Sequence, residues 1–330
     1  MKRIEYKEGK IQIILGDAQT ILDTIQENTV DLVLTDPPYF LDKLDEGWKH
    51  EEILKGKNSC GVVKNLPMGM KFSPQQSKKF YEWFRPIAKK IRRVLKPGGW
   101  FISFSHPRLF HRLILALEDE NFWLRDTFIW IYTQNQPKAF SLSHFLEKIN
   151  LPEKEREKIE EELKIFKVPK VKSCYEPIIV AQKPPEKTLL DNWIKYGVGL
   201  FNVQLKQGEK KFPSTVITVE NIDPLLDKYF LVEKPKKEEK GKYNDHPTVK
   251  PLNLCKFLIE LTTKEKALVI DPFMGSGTTA LACAETNRNF IGIEINGHYF
   301  DITIKRLKDF LTNKKEIEKK RDIMPKLFIS

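Results

Sequence analysis

Two short segments carry residue types that chemistry can use. The first is Asp36-Pro37-Pro38-Tyr39. The Asp36 carboxylate and the Pro37 carbonyl are two acceptors close together in the chain. Pro38 has no N–H to compete for that carbonyl, and its ring stiffens the turn. Such a pair suits an amine whose lone pair is delocalised into a ring, because holding both N–H bonds makes the nitrogen more pyramidal and more nucleophilic. Tyr39 adds an aromatic face against which a flat heterocycle can stack. The second segment, Asp271-Pro272-Phe273-Met274-Gly275-Ser276-Gly277-Thr278-Thr279, follows the apolar run 267–270 and precedes a helical pattern. A strand, a glycine turn and a helix start form a cradle for a nucleotide or carboxylate, since glycine admits close approach and free amides meet an anion. The next predicted strand ends at Glu294, placed to accept ribose hydroxyls. No third glycine completes a G-x-G-x-x-G fingerprint, and no Gly-Lys-Ser/Thr makes a P-loop. Taken singly, each segment also fits a structural turn, with Asp36 as a loop-initiating residue.

These segments need elements to bring them together. Apolar runs predict strands over 11–15, 31–35, 100–104, 127–132, 176–181, 267–270 and 289–293. Helical spacing covers 18–26, 74–95, 109–120, 252–261, 278–286 and 297–312. In the second of these helices Phe80, Phe84, Ile87, Ile91 and Val94 share one stripe, and Lys96-Pro97-Gly98-Gly99 reads as its end. The alternation predicts an α/β fold with a Rossmann-like, doubly wound, mostly parallel sheet. Ligands then sit beyond the carboxyl ends of the strands. Residues 1–183 form one half of the main domain, with a charged, solvent-facing helical insertion over 141–168. Residues 184–245 read as a small separate lobe, 246–313 as the second half, and 314–330 as a basic tail. The scheme rests on convergence of residues more than two hundred positions apart. Asp36 in a salt bridge remote from the Gly275 turn would refute it.

Composition bounds the partners. The apolar fraction is 41% and no run approaches a membrane span. The first ten residues are charged and hold no signal-peptide core. Cys60, Cys174, Cys255 and Cys283 lie far apart, which argues against zinc or disulfides and fits a cytoplasmic protein. The net charge of +11 suggests a polyanionic partner. Between Lys64 and Arg112 twelve basic residues face one acidic residue, Glu82. Lys64, Lys71, Lys78 and Lys79 are the candidates for phosphate contact. Lys89, Lys90, Arg92, Arg93 and Lys96 equally suit a helix C-terminus, where cations complement the dipole.

The Asp36–Tyr39 segment preceding the Asp271–Thr279 segment resembles the beta class of DNA amino-methyltransferases over most of 1–135 and 171–312. The resemblance implies a class I methyltransferase fold, circularly permuted, that uses S-adenosylmethionine and no metal. It implies transfer of the methyl group to adenine N6 in double-stranded DNA after base flipping. Asp36, Pro37, Pro38 and Tyr39 become the catalytic residues. Cofactor contacts fall to Asp36, Asp271, Pro272, Phe273, Gly275, Ser276, Gly277, Thr278 and Glu294. Gly16-Asp17-Ala18 is similar to the segment that binds the cofactor adenine, which adds Asp17 and Ala18. His246-Pro-Thr-Val-Lys-Pro251 resembles the segment that closes over the cofactor, with His246, Thr248 and Lys250 near it. Residues 184–245 become the target-recognition lobe, although 186–245 holds eleven basic and ten acidic residues. A cognate restriction endonuclease and a second copy of the chain are further partners the resemblance allows. Cytosine-N4 methylation is the nearest alternative, although Ser usually stands there in place of Asp36. Methylation of RNA or of a glutamine amide, and a non-catalytic DNA-binding role, are more distant.

Overall fold

A computed structural model describes residues 2–6, 9–39, 74–132, 142–146, 148–167, 175–205, 216–217, 235, 237–240, 243–246 and 248–323. The loop 40–73, with Lys64 and Lys71, lies outside the described residues, as do 324–330. Elements are numbered in chain order. Among the described residues one sheet holds nine strands: β1 (Lys2–Tyr6), β2 (Ile11–Leu15), β3 (Val30–Thr35), β4 (Leu95–Phe104), β5 (Trp123–Ile131), β6 (Tyr175–Gln182), β7 (Val216–Ile217), β8 (Leu268–Asp271) and β9 (Asn289–Glu294). Their spatial order is β1-β2-β9-β8-β3-β4-β6-β5-β7.

The middle of the sheet is parallel, from β2 through β9, β8 and β3 to β4. All six residues of β3 are buried, as a strand covered on both faces requires. One face packs α8 (Leu252–Thr262), α9 (Thr278–Glu285) and α10 (Gly297–Ile323) through Leu258, Leu281 and Phe300. The other packs α1 (Ala18–Thr24), α2 (Pro74–Val94) and α3 (Phe110–Asp119) through Leu22, Phe84 and Leu113. No helix among the described residues is long and apolar enough to cross a membrane.

Among the described residues the sheet is mixed, with five parallel and three antiparallel pairings. β6 runs antiparallel to both β4 and β5, and β1 antiparallel to β2. A strand such as β6, with six buried residues in a row, reads the same in either direction, so its apolar pattern holds no polarity. Lys96-Pro97-Gly98-Gly99 also departs from expectation. β4 begins at Leu95, opposite Val30, and the register shifts before Trp100 meets Leu32. The turn residues are therefore an irregularity inside the strand.

Part of the region expected as a separate lobe belongs to the main packing. α6 (Leu189–Tyr196) lies on β4, where Asn192 donates to the Pro97 and Val198 carbonyls at 2.9 and 3.0 Å. Val198 joins the core, and Phe201 packs on Trp100 at 4.7 Å. The charged insertion contains α4 (Ser143–Leu146) and α5 (Glu153–Ile165), and α5 buries none of its residues. A short α7 (Lys237–Lys240) precedes the second half. In the basic window, Lys90 bonds the Gln19 carbonyl and Asp23, and Arg93 the Leu22 and Ile25 carbonyls. Arg93 thus serves the C-terminal end of α1, while Lys90 ties to its first turn and to Asp23. Lys96 pairs with Asp31 at 2.7 Å, whereas Lys78 is exposed and only 3.9 Å from Glu82.

Candidate active site

β3 and β8 are adjacent parallel strands, so the loops that follow them open on one edge. The two loops are fastened there. Thr35, the last residue of β3, donates its hydroxyl to Asp271 Oδ1 at 2.7 Å. The Phe273 N–H reaches the same oxygen at 3.1 Å, and Thr279 Oγ1 donates to Oδ2 at 2.8 Å. Burial pushes the Asp271 carboxyl up to about 6, and these three donors only partly oppose it. The structure thus uses Asp271 as an internal tie between the two candidate loops. Asp36 does stand in a salt bridge, with Lys250, but on the edge where the adjacent Thr35 is tied to the glycine-turn loop, not remote from it.

The turn itself is held from three sides. Gly275 and Gly277 have φ of +55° and +79°, a region that costs a residue with a β-carbon roughly 1–2 kcal/mol. A β-carbon on Gly275 would also lie 2.7 Å from His246 Nε2. Glu294 accepts the Gly275 N–H at 2.7 Å on one oxygen and the Asn296 N–H at 2.8 Å on the other. Burial raises its carboxyl to about 7 despite those bonds. From α10, Thr303 donates to the Gly275 carbonyl at 3.0 Å. The buried Arg306 reaches the Ser276 carbonyl at 2.6 Å and the Ser276 and Thr278 hydroxyls at 3.2 Å. α9 starts at Gly277 with no side-chain cap, so its first N–H groups can meet an anion. The uncapped helix start, the glycine close to His246 and the carboxylate at the end of β9 fit a nucleoside that also bears a carboxylate.

Around Asp36 the partners are different. Lys250 Nζ lies 2.8 Å from Asp36 Oδ2 and 2.5 Å from Glu176 Oε1, and 5.0 Å from the centre of the Phe104 ring. Burial alone would push the Lys250 ammonium down, but the two carboxylates outweigh it and hold it above the usual lysine range. Tyr39 donates its hydroxyl to Asp36 Oδ1 at 2.6 Å. Burial first, then the Asp36 charge, raises that phenol well above its ordinary value. The Tyr39 ring stands edge-on to His106 at 6.0 Å. His106 is lowered to about 4, mainly by burial and then by Arg108 and Lys250. Its Nδ1 accepts the Arg108 N–H at 3.1 Å, which places the proton of the neutral ring on Nε2. His246 is likewise lowered to about 4 by burial, and its Nδ1 accepts the Thr248 N–H at 3.3 Å.

The structure therefore brings Asp36, Tyr39, His246, Lys250, Asp271, Gly275 and Glu294 to one edge. Pro37 and Pro272 are buried, Pro38 is half-buried, and Thr248 is exposed. Phe273 packs on Trp83 at 5.4 Å. Asp17 caps α1, accepting the Gln19 N–H at 3.3 Å, and precedes the buried Ala18. It stays at the same edge because Gly16 N donates to the Glu294 carbonyl at 2.9 Å. Reasoning on the sequence missed Glu176, His106, Arg306 and Thr35. Glu176 alone left a trace, as an acidic residue opening an apolar run.

A family model described as DNA methylase matches residues 30–305, a span that includes the Pro-Pro loop, Lys250, the glycine turn and Glu294. The chain belongs to the DNA methylase family. It is 31% identical over 300 residues to the type II methyltransferase M.HindIII of Haemophilus influenzae, covering 86% of this chain and 90% of that one. It is 25% identical over 312 residues to the DNA adenine methyltransferase YhdJ of Escherichia coli, covering 89% and 82%. Among solved structures the M1.HpyAVI complex with SAM superposes with a TM-score of 0.52 at 23% identity, covering 90% of this chain and 98% of that one. The cytosine-N4-specific PvuII DNA methyltransferase superposes with a TM-score of 0.52 at 19% identity, covering 91% and 90%. At these identities the two structures support a shared fold.

Proposed function

We propose that this methylase transfers the methyl group of S-adenosylmethionine to N6 of an adenine flipped out of double-stranded DNA. The observation that carries the reading is the Thr35–Asp271 tie, which sets an amine-holding loop beside a nucleoside cradle. Relatives named as an adenine methyltransferase and as type II methyltransferases support the substrate. In this reading the chain is a class I methyltransferase in permuted order, with the catalytic loop before the cofactor loop. Target recognition falls to the part of 184–245 beyond the sheet-packed 189–205, largely outside the described residues. A cognate restriction endonuclease is a natural partner for such an activity.

When bound, the cofactor supplies an electrophilic methyl on a sulfonium sulfur. Glu294 would orient the ribose, and the start of α9 would receive the methionine carboxylate. Asp36 and the Pro37 carbonyl accept the two N–H bonds of the target amine and aim its lone pair. Tyr39 stacks on the extruded base. The Asp36 carboxylate would take the one proton that the target nitrogen sheds on methylation. The test is tritium transfer from labelled cofactor to mixed plasmid DNA, followed by chromatography of the digested nucleosides. Label in N6-methyladenine supports the reading. Label in N4-methylcytosine, the reaction named for the PvuII enzyme that shares the fold, replaces it, and no label refutes both.

A further inference from the structure

The methylation reading leaves one problem at Asp36. Both of its oxygens already have donors: the Tyr39 hydroxyl on Oδ1 and the Lys250 ammonium on Oδ2. Each oxygen keeps a further lone pair, but an incoming amine meets Asp36 in competition with a hydroxyl and a cation, which differ in how easily they give way. Lys250 is only 8% exposed, and a cation buried that deeply cannot leave one carboxylate without another to receive it. Glu176 is that second carboxylate, already 2.5 Å from Nζ.

We propose that Glu176 is a positioning residue that retains the Lys250 ammonium while the target amine takes its place on Asp36. The inference rests on the methylation reading and assigns to it a residue outside both motifs. Glu176 is held by the sheet: it pairs in register with Trp130 of β5, and Ile178, two residues on, pairs with Phe104 of β4. Because β6 runs antiparallel to β4, the start of β6 meets the carboxyl end of β4, and Glu176 faces the site from across the edge. The Phe104 ring gives the ammonium a second favourable surface at 5.0 Å. The charges also fit. Asp36, Glu176 and Lys250 together bear one net negative charge, so when Glu176 holds the lysine, Asp36 is left an anionic acceptor for the amine. With Glu176 neutral, Lys250 has Asp36 as its anion in this trio and competes with the substrate for it.

A double-mutant cycle tests this, using the full chain, labelled cofactor and plasmid DNA in single turnover. Glu176→Gln should slow transfer by about tenfold or more while cofactor affinity stays within about threefold. Lys250→Met should also be slow, because Glu176 then stands uncompensated beside Asp36. The double variant E176Q/K250M should be faster than either single variant, since Asp36 again keeps the only charge of the three. Glu176→Asp, which keeps the charge, should retain more activity than Glu176→Gln. A wild-type rate in Glu176→Gln overturns the proposal. So does a double variant no faster than Lys250→Met, a comparison that stands even where Glu176→Gln fails to fold. Absence of any transfer by the wild type strikes the methylation reading itself. Transfer by the wild type with an uncoupled cycle strikes only the role given to Glu176.

Discussion

Asp271 and Glu294, on the glycine-turn side, and Asp36 and Glu176, on the Pro-Pro side, face one sheet edge with opposite kinds of partner. The first pair takes hydroxyls and backbone N–H groups from Thr35, Phe273, Thr279, Gly275 and Asn296. Those donors belong to a strand, the turns and a helix start, and burial lifts both carboxyls to about 6 and 7. The second pair shares one buried ammonium, that of Lys250, which balances part of its charge. One side is a frame; the other is proposed to exchange partners. A cofactor cradle needs a fixed shape, while a site that admits a base must release something to receive it.

The largest effect should come from breaking the exchanging side. Asp36→Ala removes an acceptor for the amine and should lower single-turnover methylation by at least about 10³-fold. Cofactor affinity, measured by calorimetry, should survive because the Glu294 and Gly275 contacts are untouched. An unchanged rate would contradict the assignment, and lost cofactor binding would mean that the two sides are not separable.

The frame should instead show itself in pH. Burial raises Glu294 from the ordinary 4.5 to about 7. A carboxyl that binds its proton more tightly when folded stabilises the fold below its unfolded pKa. That contribution is lost as pH rises through the folded value. Glu294→Gln copies the neutral form and alters one hydrogen bond by an amount independent of pH. Its stability relative to wild type, read from melting temperatures, should therefore rise from about pH 4.5 to about pH 7, a swing on the order of 3 kcal/mol. A difference flat across that window would show that the Glu294 carboxyl is not raised by its surroundings.

How much of this edge the sequence displayed follows from how local each signal is. The Pro-Pro loop and the glycine turn were legible because proline and glycine mark chain geometry where they stand. Asp271 read as a cofactor contact because its partner, Thr35, lies 236 positions away. Glu176 was missed because its role depends on the direction of β6, and an apolar run buried on both faces gives no direction. Lys90 and Arg93 suited the end of their own helix or a phosphate, yet they bond carbonyls of α1 at Gln19 and Leu22, about 70 positions earlier. The packing of 189–205 on β4 was hidden in the same way, since Asn192 reveals its partners only once folded.

Gly275→Ala tests the frame by shape. The new β-carbon meets His246 Nε2 at 2.7 Å and sits on a backbone with φ of +55°. Cofactor affinity should fall by about ten- to thirtyfold, from left-handed strain plus a displaced ring. Methylation at saturating cofactor should fall less. A drop confined to the rate would move Gly275 from the cradle to the catalytic side.

The smallest change separates two roles of one residue on the exchanging side. Tyr39 both donates to Asp36 and presents its ring near His106. Tyr39→Phe keeps the ring and removes the donor, which is worth about 1 kcal/mol, so the rate should fall only about fivefold. Removing a donor from Asp36 also frees an acceptor position for the amine, which acts in the opposite direction and keeps the loss small. Tyr39→Ala removes the stacking face as well and should fall at least about tenfold further, since base–aromatic stacking contributes roughly 1–3 kcal/mol. Cofactor affinity should hold in both variants. If Phe and Ala prove equally slow, the hydroxyl and not the ring is what catalysis uses, and Tyr39 joins Lys250 as a group that regulates access to Asp36.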